Sequence, residues 1–564
     1  MLSFSTDPAT AERQMEALIF SLTTFGYIDG DFDDKERDVI RGTIRKLVGH
    51  RVDTGMPDAT TDVRADLVAR FSAHFVEKFE QIDERVNELF HEPLAKDEDR
   101  DTFVHAKLKQ RCFELFEGFD RANQEALLEA VDELIRADGE LHPAELKFRS
   151  ELAALLETDL DMDLVDEDAV SAPRATFHPP TQLTAGDDHP FFRALEHHYS
   201  ADPDTIQRQI DADLGLADAM VESLDAQRAS GAGRLTGVPN VAAIPRGERF
   251  LDGWAHVLTP APGQAYELTV LGDLHGCYSC LKGAVSQTRF FDRVAAYRAD
   301  PKSEPYPLLV LLGDYIDRGI FSLNGVLRTV MQMSTRAPEH VVALRGNHEY
   351  YIEFKGQVFG GVKPAEAINS LKPHVPVDVF RSYKRLFDAL PTVFLFDTIL
   401  FVHAGIPRDR VIKERWKDLS SLNDPDIRFQ MMWSDPSAAS VIPAALQEQT
   451  ARFPFGKLQF ASFMQRLGCT TLIRGHEKVN GGFEKVYDDE HGQLMTLFSA
   501  GGADNEDLPT QSSYRSVTPM ALEIVRGADG ATSIAPFEID WQTFNAADRN
   551  AFRERPPEIE HRVE

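Results

Sequence analysis

At 564 residues the chain is too long for one ordinary core, and its 43% hydrophobic content is that of a globular protein. A formal net charge of −31 argues against partners that demand basic surface, namely nucleic-acid backbones and anionic membranes. Four cysteines supply no disulfide framework, the opening MLSFSTDPATAERQMEALIF has no basic n-region before an apolar core and cleavage site, and no apolar run reaches bilayer length, so a cytoplasmic setting is expected.

Residues 1–157 are expected to form an all-α domain. Met15, Leu18, Ile19 and Leu22 share one helical face. Phe71, Phe75, Phe79, Ile82, Val86 and Phe90 share another on a longer helix, and this stripe reads as a core seam rather than a cofactor box. A faint repeat is present. Tyr27-Ile28-Asp29-Gly30-Asp31 and Arg136-Ala137-Asp138-Gly139-Glu140 each follow an apolar helix, with Glu36 and Glu145 at matching distances beyond. Neither corner is an EF-hand, because counting from Asp29 the sixth position is Asp34 rather than Gly and the twelfth is Ile40 rather than Glu. Asp and Gly can serve there as caps of a tight helical corner, or the acids can hold a cation. The pattern is similar to the tellurite-resistance TerB-like helical domain, which implies a regulatory module with a protein partner.

Residues 158–190 read as an acidic, Pro-rich linker, with Asp159, Asp161, Asp163, Asp166, Glu167 and Asp168 ahead of Pro173, Pro179 and Pro180. Asp187-Asp188-His189 resembles a ligand set but is expected to be solvated there. Residues 191–247 give a helical segment, with Asp202-Pro203 as its start, and a Gly-, Pro- and Ser-rich second linker. A catalytic domain is expected over 248–545 and a charged, frayed tail over 546–564.

Three runs within the catalytic domain share one design. LTVLGDLHG ends in Asp273 and His275, LLVLLGDYIDRG in Asp314, Asp317 and Arg318, and VVALRGNHE in Arg345, Asn347, His348 and Glu349. Two later runs, TILFVHAG and TTLIRGHE, deliver His403 and His476. Each is a continuous apolar run of strand length, as expected of strands buried on both faces. Each stops at side chains with oxygen or imidazole donors, the set that suits Mn, Fe or Zn. Buried histidines satisfied by hydrogen bonds would explain one such run, not five in order. Cys277-Tyr278-Ser279-Cys280 follows the first run; with no second pair it reads as the first turn of a helix rather than a zinc or redox site.

GDLHG, GDYIDRG, RGNHE, HAG and RGHE, in that order, resemble the PPP family of metallophosphatases, the protein serine/threonine phosphatases, over residues 268–500. The resemblance implies a two-sheet β sandwich flanked by helices, an α/β metallophosphoesterase fold. It also implies two divalent metal ions, with Mn the first choice and Fe or Zn the alternatives. Asp273 and His275 would hold the first ion, Asp314 would bridge, and Asn347, His403 and His476 would hold the second. Cations about 3.5–4 Å apart activate a hydroxide for in-line attack on phosphorus. His348 would be the general acid, Asp317 its orienting partner, and Arg318, with Asn347, would grip the phosphate. Arg345 would form either an ion pair or a phosphate contact, and Glu349 would support the ligands from behind.

The sequence departs from the family at three places. Ala404 replaces a usual Gly. Arg452 stands closer to Phe455-Gly456 than the family's second phosphate-binding arginine, and is the candidate for that role. Phe498-Ser499-Ala500-Gly501-Gly502-Ala503 lacks the Pro, Asn and Tyr of the family's FSAPNY. The expected function is phosphomonoester hydrolysis on phosphoserine or phosphothreonine of a phosphoprotein or phosphopeptide. The rivals are a small-molecule phosphohydrolase, such as one cleaving dinucleoside polyphosphates, and a catalytically dead scaffold.

Overall fold

In the computed structural model, residues 5, 7–28, 32, 34–90, 92, 94–95, 98–135, 143–157, 174–184 and 188–562 are described. The chain divides into two units: residues 1–162 with 437–456, and residues 163–436 with 457–564.

The first unit is helical, with α1 (Pro8–Ile28), α2 (Asp34–Gly55), α3 (Thr61–Leu89), α4 (Arg100–Glu117), α5 (Arg121–Ile135) and α6 (Pro143–Leu156). The side chain of Thr60 caps α3 through Val63 N, and that of Asp99 caps α4 through Thr102 N. Met15, Leu18, Ile19 and Leu22 are all buried, with Phe103, Leu108, Phe113 and Phe116 of α4 in the same core. The α3 stripe is corrected at one end. Phe79, Ile82 and Val86 are buried, but Phe71 is 48% exposed. The spacing 75, 79, 82, 86 alternates four and three, so the next seam position back is 72. Ser72 occupies it, buried, and Phe71 falls outside. Both Asp-Gly corners, Asp29 to Asp31 and residues 136–140, lie outside the described residues.

Residues 437–456 also belong to this unit, which nothing in their sequence announced. Ala439, Ile442 and Leu446 join its core. Ser437 Oγ donates to Glu114 at 2.6 Å, and Ala451 N donates to Glu98 at 2.5 Å.

The second unit holds two large sheets and a two-stranded hairpin of Tyr351–Phe354 with Gln357–Gly360. The strands of the large sheets are β1 (Thr176–Phe177), β2 (Arg249–Asp252), β3 (Ala255–Leu258), β4 (Tyr266–Leu271), β5 (Tyr306–Leu311), β6 (Val341–Ala343), β7 (Val393–Phe396), β8 (Ile399–Val402), β9 (Thr471–Arg474), β10 (Phe483–Asp489), β11 (Gly492–Leu497), β12 (Met520–Arg526) and β13 (Thr532–Glu538). The six-stranded sheet runs β1-β13-β12-β4-β5-β6 and the seven-stranded sheet β10-β11-β9-β8-β7-β3-β2. β4, β5 and β6 are parallel to one another, as are β8 and β9. Leu268, Val270, Leu308 and Val310 of the first sheet share a core with Phe394, Phe396, Phe401, Ile473 and Met495 of the second. Leu271, Leu309 and Leu311 point the other way, into a core covered by helices. Continuous apolar runs are thus required because both faces are buried.

This unit is larger than residues 248–545 at both ends. In the expected linker, Thr176 and Phe177 pair in parallel with Ser533 and Ile534. Helix α7 (Pro203–Gly231), from the expected intermediate segment, carries Asp213, which takes both ends of the Arg328 guanidinium at 2.7 and 2.9 Å. Asp188 is ion-paired with Lys282 at 2.7 Å rather than solvated. The tail is not frayed through residue 562: Phe552 is buried against Phe321 and Tyr278, ring centroids 4.4 and 5.0 Å away. Phe552 and Ile559 both pack on the helix-covered core. Among the described residues, no helix is long and apolar enough to cross a membrane.

Candidate metal and phosphate site

Five strands of the second unit point their carboxyl ends at one place. Asp273 and His275 follow β4, Asp314 follows β5, Asn347 and His348 follow β6, His403 follows β8 and His476 follows β9. Strand ends of open sheets are where such sites form. The crowding there excludes side chains. A Cβ on Gly346 would lie 2.1 Å from Asp314 Oδ1, and one on Gly475 would lie 2.2 Å from Asp273 Oδ1. The site is also strained. His275, Asp314, Asp317, Arg318 and His476 all have positive φ, between 43° and 72°. Non-glycine residues hold such backbone only where surrounding contacts force it.

Three donor atoms converge as ligands of one ion would. Asn347 Oδ1 lies 2.9 Å from His403 Nε2 and 3.1 Å from His476 Nδ1, and those nitrogens are 3.2 Å apart. Ligands bonded at about 2.1 Å sit about 3 Å from one another. His403 Nδ1 donates to the Leu312 carbonyl at 3.0 Å, so its Nε2 presents a lone pair to the centre. Asp314 Oδ1 stands 3.4 Å from the same nitrogen. On the other side, His275 Nδ1 donates to the Ile316 carbonyl at 3.0 Å. Its Nε2 faces Asp314 Oδ2 at 3.5 Å and Asp273 Oδ2 at 3.8 Å. Asp314 lies between the two groups, as a bridging carboxylate must.

Electrostatics agree. Burial, then the charges of Asp273 and Glu349, push the Asp314 carboxyl well above the usual carboxylate range. Burial, with the charge of Arg474, holds His403 well below the ordinary imidazole value, and burial holds His275 down likewise. Neutral imidazoles beside crowded carboxylates are what cations bind, and their charge relieves the repulsion. The donor set therefore fits two divalent ions.

Glu349 holds the backbone behind Asp314. It accepts from Asp314 N at 2.7 Å, Gly346 N at 3.0 Å and Tyr315 N at 2.8 Å. Arg345 forms the ion pair: its guanidinium reaches Asp388 at 3.0 Å and the Glu349 carbonyl at 2.9 Å. Ala404 has no positive φ, so the missing glycine is not needed there.

Beside the ligands, His348 Nδ1 sits 2.7 Å from Asp317 Oδ2, and Asp317 Oδ1 accepts from Ala367 N at 2.8 Å. Burial raises the Asp317 carboxyl to about 6, against the pull of that hydrogen bond and of Arg318. Arg318 Nη1 donates to Glu366 at 2.9 Å, while its buried Nη2 has no hydrogen-bond partner.

Residues 266–480 match the family of calcineurin-like phosphoesterases. This segment is a calcineurin-like phosphoesterase domain. The chain is similar to a probable serine/threonine-protein phosphatase of Encephalitozoon cuniculi, at 25% identity over 298 residues, which are 52% of this chain and 58% of that relative. It thus spans less than two thirds of that relative's length. Among solved structures it is similar to a protein serine/threonine phosphatase from Saccharomyces cerevisiae (TM-score 0.35, 18% identity, 58% of this chain and 90% of that one). It is also similar to a cold-active protein-tyrosine phosphatase from a Shewanella species (TM-score 0.28, 17% identity, 48% and 80%).

Two residues depart from expectation. Arg452 falls in the helical unit, where it is ion-paired with Glu92 at 3.1 Å. Tyr514 was missed. It stands in a short helical turn, Ser513–Ser516, beyond the altered Phe498-Ser499-Ala500 stretch of the phosphoesterase domain's sheet. Its ring packs on His275 at 5.3 Å and Phe498 at 5.0 Å. Burial pushes its hydroxyl up to about 12. An aromatic in the loop after the FSA stretch was the available signal.

Proposed function

We propose that this chain is a metal-dependent phosphomonoesterase acting on phosphoserine or phosphothreonine in proteins. One observation carries the reading: His348, held by Asp317, places its Nε2 3.9 Å from Asp314, the carboxylate shared by a cluster with His275 and a cluster with His403 and His476. Asp273, His275 and Asp314 would hold one divalent ion, and Asp314, Asn347, His403 and His476 the other, with Mn the first choice. Bound there, the ions supply positive charge to the phosphoryl oxygens and lower the pKa of water.

The chain's own groups do the rest. Arg318 has one guanidinium nitrogen engaged by Glu366 and a second left for a phosphate oxygen. Asp317 fixes Nδ1–H of His348, so Nε2 is the nitrogen that delivers a proton to the leaving alkoxide. The helical unit would serve as a regulatory, partner-binding module of a cytoplasmic enzyme.

The test is phosphate release from a phosphothreonine peptide, a dinucleoside tetraphosphate and a chromogenic aryl ester, with Mn²⁺ or chelator. Peptide turnover that chelator abolishes supports the reading. Cleavage of the dinucleotide alone transfers the chain to small-molecule hydrolases, and no turnover with metal present makes it a scaffold.

A further inference from the structure

Cys277 and Cys280 open the helix Tyr278–Gln287, as their spacing predicts, but capping does not account for them. Cys277 is the N-cap residue and makes no side-chain cap bond. Ser, Thr, Asp and Asn are the residues that do. The first turn is instead satisfied from a distance, by Asp507, which accepts from Ser279 N at 2.6 Å. Apolar filling does not account for the pair either. Both side chains are fully buried, yet polar groups bracket them. Asn505 Nδ2 lies 3.1 Å from the Cys277 sulfur and 3.7 Å from that of Cys280. The Gly501 carbonyl lies 4.0 and 3.8 Å from the same two atoms. Asn505 Nδ2 donates to that carbonyl at 2.7 Å, which closes the cluster.

Residues three apart in a helical turn are neighbours, and here the two free thiols place their sulfurs 2.7 Å apart. A disulfide needs about 2.05 Å, an approach that rotation about the two Cα–Cβ bonds supplies. Cys112 and Cys469, also free and buried, stand far from any other cysteine in sequence. The pair is one side chain away from open space. Gly502, Trp541 and Asn545 line a surface cavity of about 490 Å³. Asn545 Nδ2 donates to Asn505 Oδ1 at 2.6 Å, and Asn505 is the residue against both sulfurs.

We propose that Cys277 and Cys280 are a redox modification site, at which a small hydroperoxide converts the two thiols into an intrachain disulfide. One sulfur attacks the O–O bond of hydrogen peroxide, keeps one oxygen as a sulfenic acid and releases the other as water. The second sulfur then bonds to the first and displaces its oxygen as another water. Two thiols and one hydrogen peroxide give one disulfide and two waters, with two electrons passing from sulfur to oxygen. This chemistry needs nothing from the metal site, so it stands whether or not the chain hydrolyses phosphoesters.

The experiment treats the folded full chain with hydrogen peroxide, removes the excess with catalase, and labels the remaining thiols with a maleimide in denaturant before peptide mass spectrometry. Labelled thiols should fall from the four free cysteines to Cys112 and Cys469 alone. The peptide holding Cys277 and Cys280 should be lighter by about 2 Da, and dithiothreitol should restore all the labels. Cys280→Ser should leave Cys277 either labelled or heavier by about 16–48 Da, with no lighter peptide. Three results overturn the proposal. The folded chain may keep every thiol at a peroxide dose that forms the disulfide in denaturant. The pair may pass to sulfinic or sulfonic acid without joining. Cys112 or Cys469 may be oxidised as readily as the pair. The wild-type measurement decides among these even where the variant does not fold.

Discussion

The helical unit and the sheet unit each bury an apolar core but treat the backbone differently. All eight described non-glycine residues with positive φ lie between His275 and His476, in the sheet unit, and five of them belong to the site. The helices are built from capped, unstrained turns around Phe79, Phe103 and Phe113. Strain therefore tracks chemistry here rather than folding. Strand pairing and buried carboxylates over-determine the site, while the helical unit needs only complementary volume.

The contrast can be broken at graded cost. The largest effect is expected from a chain beginning at Glu248. It loses β1 and α7 from the sheet unit and the partners of Ala439, Ile442 and Leu446, so no soluble, cooperatively melting protein should result. A sharp thermal transition from that fragment would refute the boundaries. Next comes Asp314→Asn, which removes the carboxylate common to both ligand groups. Turnover of an aryl phosphate should fall by more than the roughly 100-fold typical of losing an outer partner, with the helical core melting unchanged. A fully active variant would sink the metal assignment.

Ile442→Ala is the reverse case. It should destabilise the helical unit by about 2–5 kcal/mol in denaturant titrations, as buried truncations do; a shift under 1 kcal/mol would mean residues 437–456 are not part of that core. Glu349→Gln keeps the shape but loses an acceptor for the backbone N–H groups behind Asp314. Mn²⁺ affinity by calorimetry should weaken about 10–100-fold, and unaltered affinity would make Glu349 a bystander. Phe71→Ser should change stability by less than about 0.5 kcal/mol, since the side chain lies outside the seam. A larger loss would restore Phe71 to the core.

The clustering of Asp273, His275, Asp314, Asn347, His348, His403 and His476 was readable because each sits within a few residues of a buried strand and its glycine. Local pattern there fixes the position in space. Tyr514, the segment 437–456 and the tail were not readable for one shared reason: their places depend on partners dozens to hundreds of residues away and on no motif of their own. Ala451 reaches Glu98, and Arg562 reaches Ser370. Phe71 shows the limit even within a helix, since apolar type alone does not tell a seam position from its neighbour.

The placement of residues 437–456 bears on how the chain is made. The helical unit's first part ends at residue 162, and its last part begins 275 residues later, at 437. At about 5–20 residues per second on the ribosome, the early helices wait roughly 15–55 s for Ile442 and Leu446 to emerge. During that interval their apolar core stays incomplete while most of the sheet unit is still being synthesised. The helices translated ahead of the sheet unit are thus among the last to reach their final packing, and they are the part of the nascent protein with most need of a chaperone's cover.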